Sequence, residues 1–133
     1  MTTGRRSPLL SVRLRADRTA PRRARRALDE LRGLVPPSAF TDLRLLVTEV
    51  VTNSVRHAGL DDDDTIEMTV RLTDGRVMVT CHDRGPGYRP LETGASPAAG
   101  WGLFLVRELA DRWGTDTCTG TGCTTWFELT VPR

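Results

Sequence analysis

The sequence predicts an α+β fold, a two-layer α/β sandwich in which helices cover one face of a mixed, mostly antiparallel sheet. Three observations carry this. Apolar residues alternate at period two in some segments and recur at threes and fours in others. These patterns follow one another along the chain as β-α-α-β-β-α-β-β, an order that fits one sheet with one helical layer. Finally, Asp74-Gly75 separates two alternating segments by the two residues that a tight hairpin turn needs.

Residues 1–8 read as a flexible tail, and residues 9–133 as a single domain without repeat or linker. Leu10, Val12 and Leu14 alternate with polar residues, which predicts a strand with one buried face. From Ala20 the period changes: Ala24, Ala27, Leu28, Leu31 and Val35 form a helical stripe with arginines on the other side. Gly33 and Pro36-Pro37 are expected to end that helix. Ser38 or Thr41 is expected to cap the next one, which runs to Ala58 and stops at Gly59. Asp61–Asp64 is a polar turn. Ile66, Met68, Val70 and Leu72, then Val77, Val79 and Cys81, give two strands of a hairpin. Residues 84–101 are rich in Gly, Pro, Ala and Ser without periodicity, long enough to suggest a functional loop or lid. Leu103, Val106, Leu109, Ala110 and Trp113 restore helical spacing. A turn at Gly120-Thr121-Gly122 precedes a last strand, Thr124 to Val131.

At 133 residues the chain can bury one proper core. With 38% hydrophobic and 27% charged residues it is composed as a soluble globular domain. No apolar run approaches the roughly 20 residues of a membrane helix, and the N-terminus is too arginine-rich for a signal peptide. A cytoplasmic location without membrane association is expected. Cys81, Cys118 and Cys123 are odd in number and contain no C-x-x-C pair, which argues against a zinc site or a disulfide framework. Cys118 and Cys123 flank a glycine turn and could pair across a hairpin, but a reducing compartment weighs against it. The net charge of +2 is uneven: residues 1–32 hold ten arginines against Asp17, Asp29 and Glu30. No aromatic residues interleave with them, so a solvated face or a protein-contact surface is favoured over nucleic-acid binding.

At about 100° per residue, Glu49, Asn53 and Arg56 fall within a stripe about 60° wide. Leu43, Leu46, Val50, Ser54 and Ala58 form a separate stripe beside it. One face of this helix can therefore pack on the sheet while its flank presents a carboxylate, an amide and a guanidinium. A carboxylate can deprotonate an attacking hydroxyl, an amide oxygen suits Mg²⁺, and an arginine neutralises phosphate charge. The same residues also fit a plain solvated flank. His57, at the edge of the apolar stripe, reads by itself as a boundary or packing histidine more readily than as a ligand or phosphoacceptor.

Asp83 ends an apolar strand and precedes Gly85-Pro86-Gly87. A carboxylate there can accept from the exocyclic amine of a purine, and the glycines let the backbone approach a flat ring. A simple β-turn is the alternative. Gly100-Trp101-Gly102 at a helix start leaves backbone N–H groups free for phosphate, or forms a hinge. Neither a Walker A sequence nor a G-x-G-x-x-G fingerprint occurs.

Together these segments resemble the ATP-binding domain shared by gyrase, a heat-shock chaperone, sensor histidine kinases and MutL, over roughly residues 9–131, which implies the histidine-kinase-like ATPase fold. Leu46 to Ala58 looks like that superfamily's N box, Asp83-x-Gly85-x-Gly87 like its first glycine box, and Gly100-x-Gly102-Leu103 like its second. Gly122-Cys123-Thr124-Thr125-Trp126 is similar to its final strand, where a threonine, assigned here to Thr124, helps hold the adenine region. Small size and the Glu49-x-x-x-Asn53-x-x-x-His57 pattern resemble the anti-sigma factor serine/threonine kinases of the SpoIIAB and RsbW type. The resemblance implies ATP and Mg²⁺ as cofactors, Asn53 on the metal, Glu49 as catalytic base and Asp83 reading adenine. It implies that Gly85, Gly87, Gly100, Gly102 and Leu103 shape the pocket, that Arg56 touches phosphate, and that His57 belongs to the motif. It further implies an anti-sigma factor antagonist and a sigma factor as partners, with a homodimer by analogy. One departure stands out: Ser96-Pro97-Ala98-Ala99 carries no arginine where the better-known kinases have one. Arg84 or Arg89 are candidates to replace it. A module of the same fold that binds ATP or partners without catalysis, and the detached catalytic domain of a histidine kinase, are the competing expectations.

Overall fold

The computed structural model describes residues 8–57, 63–83, 104–116 and 122–131. Strand β1 (Leu10–Arg15) leads through an Asp17 turn into helix α1 (Ala20–Leu28). Asp17 Oδ1 accepts from the Thr19 hydroxyl at 2.6 Å and the Thr19 N–H at 2.8 Å, and these hydrogen bonds hold its carboxyl below the usual range. After α1 come helix α2 (Pro37–His57), strands β2 (Thr65–Thr73) and β3 (Arg76–Asp83), a helix over residues 104–109 (α3), and strands β4 (Arg112–Asp116) and β5 (Cys123–Thr130).

The five strands form one sheet in the order β1-β2-β3-β5-β4, each neighbour pair antiparallel. Asp74 at φ 49° and Gly75 at φ 78° make the β2–β3 turn that their sequence announces. Alternation sorts the residues by face. Ile66, Met68 and Val70 of β2, Val77, Val79 and Cys81 of β3, and Phe127 and Leu129 of β5 are buried on the inner face. Helices cover that face. Leu43, Leu46, Val47, Val50 and Val51 of α2 pack on it, and α1 closes the side over β1 with Ala20, Ala24 and Leu28 fully buried. Full burial of Phe127 or a leucine contributes about 1.5–3 kcal/mol each, so this interior is the main source of stability.

Five local expectations are corrected. The first helix ends at Leu28 and continues as a single 3₁₀ turn, Asp29–Leu31, before Gly33 at φ 87° redirects the chain. The apolar stripe misleads there, because Leu31 and Val35 remain buried after the helix has stopped. Pro36-Pro37 opens α2 instead of closing α1: Pro37 is its first residue, and Phe40 N–H bonds to Pro36 O at 2.9 Å. Thr41 is then inside the helix, its hydroxyl donating back to Pro37 O at 3.0 Å. Trp113 belongs to β4 opposite Phe127, not to α3, because the chain turns into the sheet where Asp111 N–H bonds to Glu128 O at 2.9 Å. Finally, Cys123 is disulfide-bonded while Cys81 is a free buried thiol. Cys118, and the expected tail apart from Pro8, lie outside the described residues.

Candidate functional site

Helix α2 supplies one wall. At about 100° per residue, its buried positions sweep an arc of about 160° from Asn53 through Leu46, Val50, Leu43, Ser54 and Val47 to Val51. The border beyond Val51 faces α1, where Arg25 Nη1 donates to Thr48 Oγ1 at 3.2 Å. Asn53 marks the opposite border, with half-buried Glu49 beside it and exposed Arg56 further out. The carboxylate and the amide thus line the flank of α2 turned away from α1. His57 ends the helix, and its side chain lies outside the described residues.

The sheet supplies the other wall. The register aligns Leu14 with Ile66, Ile66 with Asp83, and Asp83 with Cys123, so Asp83 stands on a central strand at one end of the sheet. The C-terminus of α2 leads to that same end, since β2 begins there at Thr65 and Ala16 N–H bonds to Asp64 O at 2.8 Å. The buried polar side chains among the described residues are Asn53, Ser54, Asp83 and Thr125. Two come from the last two turns of α2, and two from the adjoining ends of β3 and β5. These four are the polar exceptions in an otherwise apolar interior among the described residues.

Asp83 is 4% exposed, and its field reaches the neighbouring side chain on the same face: burial first, and then the Asp83 charge, push the Cys81 thiol up to about 12. Cys81 therefore stays protonated and offers no nucleophile. A buried carboxylate at a strand end is an acceptor for an exocyclic amine. The Glu49 carboxylate and the Asn53 amide oxygen are hard donors of the kind Mg²⁺ takes.

Thr124 sits elsewhere. Strand parity turns it to the outer face of the sheet, where its hydroxyl meets His82 Nδ1 at 2.8 Å. Its neighbour Thr125, 8% exposed and paired with Cys81, shares the inner face with Asp83. The signal for Thr125 was available: inner-face residues of β3 are odd-numbered, and the antiparallel ladder pairs them with odd-numbered residues of β5. Gly85, Gly87, Gly100, Gly102 and Leu103 lie outside the described residues. The segment 84–103 starts directly after Asp83, at the end of the sheet where the polar residues gather.

The sequence pattern of the histidine kinase-like ATPase domain family matches residues 14–128. The serine-protein kinase RsbW of Listeria monocytogenes is 33% identical, with the match covering 55% of this chain and 55% of its own. The same kinase of Listeria innocua is 32% identical over the same shares. The chain thus spans about half the length of the curated relatives it matches. Among solved structures, the histidine kinase domain of the Erythrobacter litoralis blue-light activated histidine kinase superposes with a TM-score of 0.59 at 22% identity, covering 85% of this chain and 60% of that one. The Acinetobacter baumannii histidine kinase AdeS gives 0.52 at 9% identity, covering 71% and 48%. At those identities the structural likeness speaks for the fold alone.

Proposed function

The chain belongs to the histidine kinase-like ATPase domain family, and from that premise we propose that it is a regulatory serine/threonine protein kinase using ATP with Mg²⁺. Its substrate in this reading is an anti-sigma factor antagonist protein, and its second role is sequestration of a sigma factor in the cytoplasm. The observation that carries the proposal is the buried polar cluster: Asp83 and Thr125 on the sheet lie at the same end as Asn53 on α2, with Glu49 on its flank. Its partners are suggested by the curated relatives, two serine-protein kinases of the RsbW type.

In this mechanism Asp83 accepts from the purine amine and fixes the base at the sheet end. Thr125 contributes a hydroxyl beside it. Asn53 would hold Mg²⁺, which would neutralise phosphate charge during transfer. Glu49 accepts the proton of the attacking serine or threonine hydroxyl as that oxygen bonds to the terminal phosphorus and ADP leaves. Arg56, exposed at the end of α2, is a candidate phosphate contact. Asn53 is buried, 6% exposed, at the border of the packed face of α2.

Two measurements test this. Calorimetry with ATP and Mg²⁺ should give saturable heat that falls sharply in Asn53→Ala. Transfer of radiolabelled phosphate to an antagonist protein should yield acid-stable phosphoserine or phosphothreonine and should disappear in Glu49→Ala. Unchanged transfer in Glu49→Ala would remove that residue as the base. Acid-labile phosphate would instead favour a histidine-kinase activity. The absence of an arginine in Ser96-Pro97-Ala98-Ala99 supports a second reading, a module that binds ATP and partners without turnover. Binding heat without transfer would select it.

A further inference from the structure

We propose that the cleft at the α1–α2 connection is a docking site for an acidic segment of a partner protein, one that presents a carboxylate beside an apolar side chain. The cleft has a volume of about 480 Å³ and is lined by Arg32, Leu34, Val35, Pro36, Pro37 and Phe40, with Gly33 at its rim. It opens beside the first turn of α2, about 24 Å along the helix axis from Asn53 at a rise of about 1.5 Å per residue. It is separate from the candidate nucleotide site, and the proposal does not depend on that reading.

The local sequence builds this cleft with little freedom. Gly33, at φ 87°, adopts the left-handed conformation that turns the chain, and Arg32 and Val35 pair across the turn in a single bridge. Leu34 N–H bonds to Leu31 O at 3.0 Å. Pro36 and Pro37 have fixed φ and lead directly into α2. The walls are thus set before a ligand arrives, which lowers the ordering cost of binding. A Cβ built on Gly33 would meet nothing within 4 Å among the described residues, so the turn stands open to a partner.

The lining combines an apolar floor with one well-placed cation, the composition of an interface anchor. Val35 and Phe40 are buried, while Leu34 at the tip is 53% exposed where a turn usually carries a polar residue. Arg32 lies over the Phe40 ring, its Cζ 4.7 Å from the centroid, and so keeps a defined place although its side chain is 62% exposed. A guanidinium has five N–H donors. The one ion pair of Arg32 among the described residues, Nε to Asp29 Oδ1 at 3.3 Å, leaves donors for a second carboxylate.

Charge complementarity selects the occupant. Residues 20–37 hold five arginines against Asp29 and Glu30, and Arg22, Arg23 and Arg26 of α1 are exposed. Such a surface steers an acidic partner inward and rejects a basic one. The only aromatic ring in the lining is already stacked under Arg32, so a nucleic-acid base finds no platform here and the acidic partner is a protein. The cleft is open, so a small molecule would leave much of its surface in water, whereas a side chain carried on a larger surface is covered by its own protein.

The test titrates acetyl-Glu-Asp-Leu-Phe-Asp-Glu-amide into the full ¹⁵N-labelled chain, followed by backbone and arginine side-chain NMR shifts. Saturable shifts centred on residues 32–40 are expected. A peptide with lysines in place of its acidic residues, and one with serines in place of leucine and phenylalanine, should each bind at least about tenfold more weakly. Arg32→Glu and Leu34→Asp, both at exposed positions, should weaken the acidic peptide by a similar factor with unchanged circular dichroism. Absence of saturation, shifts centred elsewhere, equal binding of the lysine peptide, or affinity within about twofold of the parent in both variants would overturn the proposal. Two other occupants would overturn it as well. Shifts of the same residues with protein concentration alone would assign the cleft to a second copy of the chain, and acetyl-leucine binding as tightly as the peptide would assign it to a small molecule.

Discussion

Asp83→Asn isolates the residue that would read the purine. The substitution is nearly isosteric and keeps the side chain inside the sheet end, so the fold should survive, with a thermal midpoint close to that of the parent. What it removes is the negative charge. Hydrogen bonds to charged groups contribute roughly 1.5–3 kcal/mol, against about 1 for neutral pairs. Because Asp83 is only 4% exposed, water cannot replace the lost interaction, and the loss should lie within that range. Affinity for ATP, measured by calorimetry, should therefore fall about 10- to 100-fold. The amide also presents a donor where the carboxylate presented only acceptors, so the ratio of GTP to ATP affinity should rise. An internal control exists. Part of the upward push on the Cys81 thiol comes from the Asp83 charge, so in the variant that thiol should ionise at lower pH, read by thiolate absorbance. A folded Asp83→Asn protein with the shifted thiol and ATP affinity within about twofold of the parent would refute the purine-reading role.

Three further outcomes follow from the geometry. Thr125→Val should weaken ATP binding about 2- to 10-fold, the worth of one neutral hydrogen bond, whereas Thr124→Val, which loses only the outer-face contact to His82, should leave it unchanged in calorimetry. Gly114→Ala places a Cβ 2.9 Å from Trp126 Nε1, so the indole must move; a loss of about 1–3 kcal/mol in denaturant unfolding and a shifted tryptophan emission are expected. The folded Cys81 thiol titrates near 12 against 9.0 for a free one, so the unfolded chain loses its proton first: stability is whole below about pH 9 and falls as pH rises toward 12, by up to about 4 kcal/mol. Cys81→Ala should flatten that alkaline decline.

The sheet was legible because its strands alternate cleanly and its central turn carries Asp74-Gly75, a pair that fits φ 49° and 78°. The flank of α2 was legible because the helix is long, and a 3.6 period over 21 residues separates Asn53 from Leu43 without ambiguity. Ends of elements were harder. Leu31 and Val35 stay buried beyond α1, and Trp113 lies four residues after Leu109 yet packs from a strand; burial alone does not say which backbone delivers a side chain. Thr124 and Thr125 differ by one residue, and only the ladder register decides which faces Asp83. The Cys123 crosslink depends on a judgement about compartment that composition does not make.

The distribution of buried polarity is what separates this domain from a sandwich built only to fold. From Val70 and Val77 to Phe127 and Leu129, the inner face is apolar, and α2 meets it with leucines and valines. An apolar interior needs no hydrogen-bond partners, whereas every buried polar group must be matched by one. Yet at one end α2 turns Asn53 and Ser54 inward, and the sheet answers with Asp83 and Thr125. These concessions fall where the chain leaves β3 for the segment 84–103, and where β5 begins at a crosslinked cysteine. Natural sequences break their own packing rules where function requires it. In the proposed reading the apolar part of the sandwich is the base on which the site is built, and the chemistry belongs to the end where the interior turns polar.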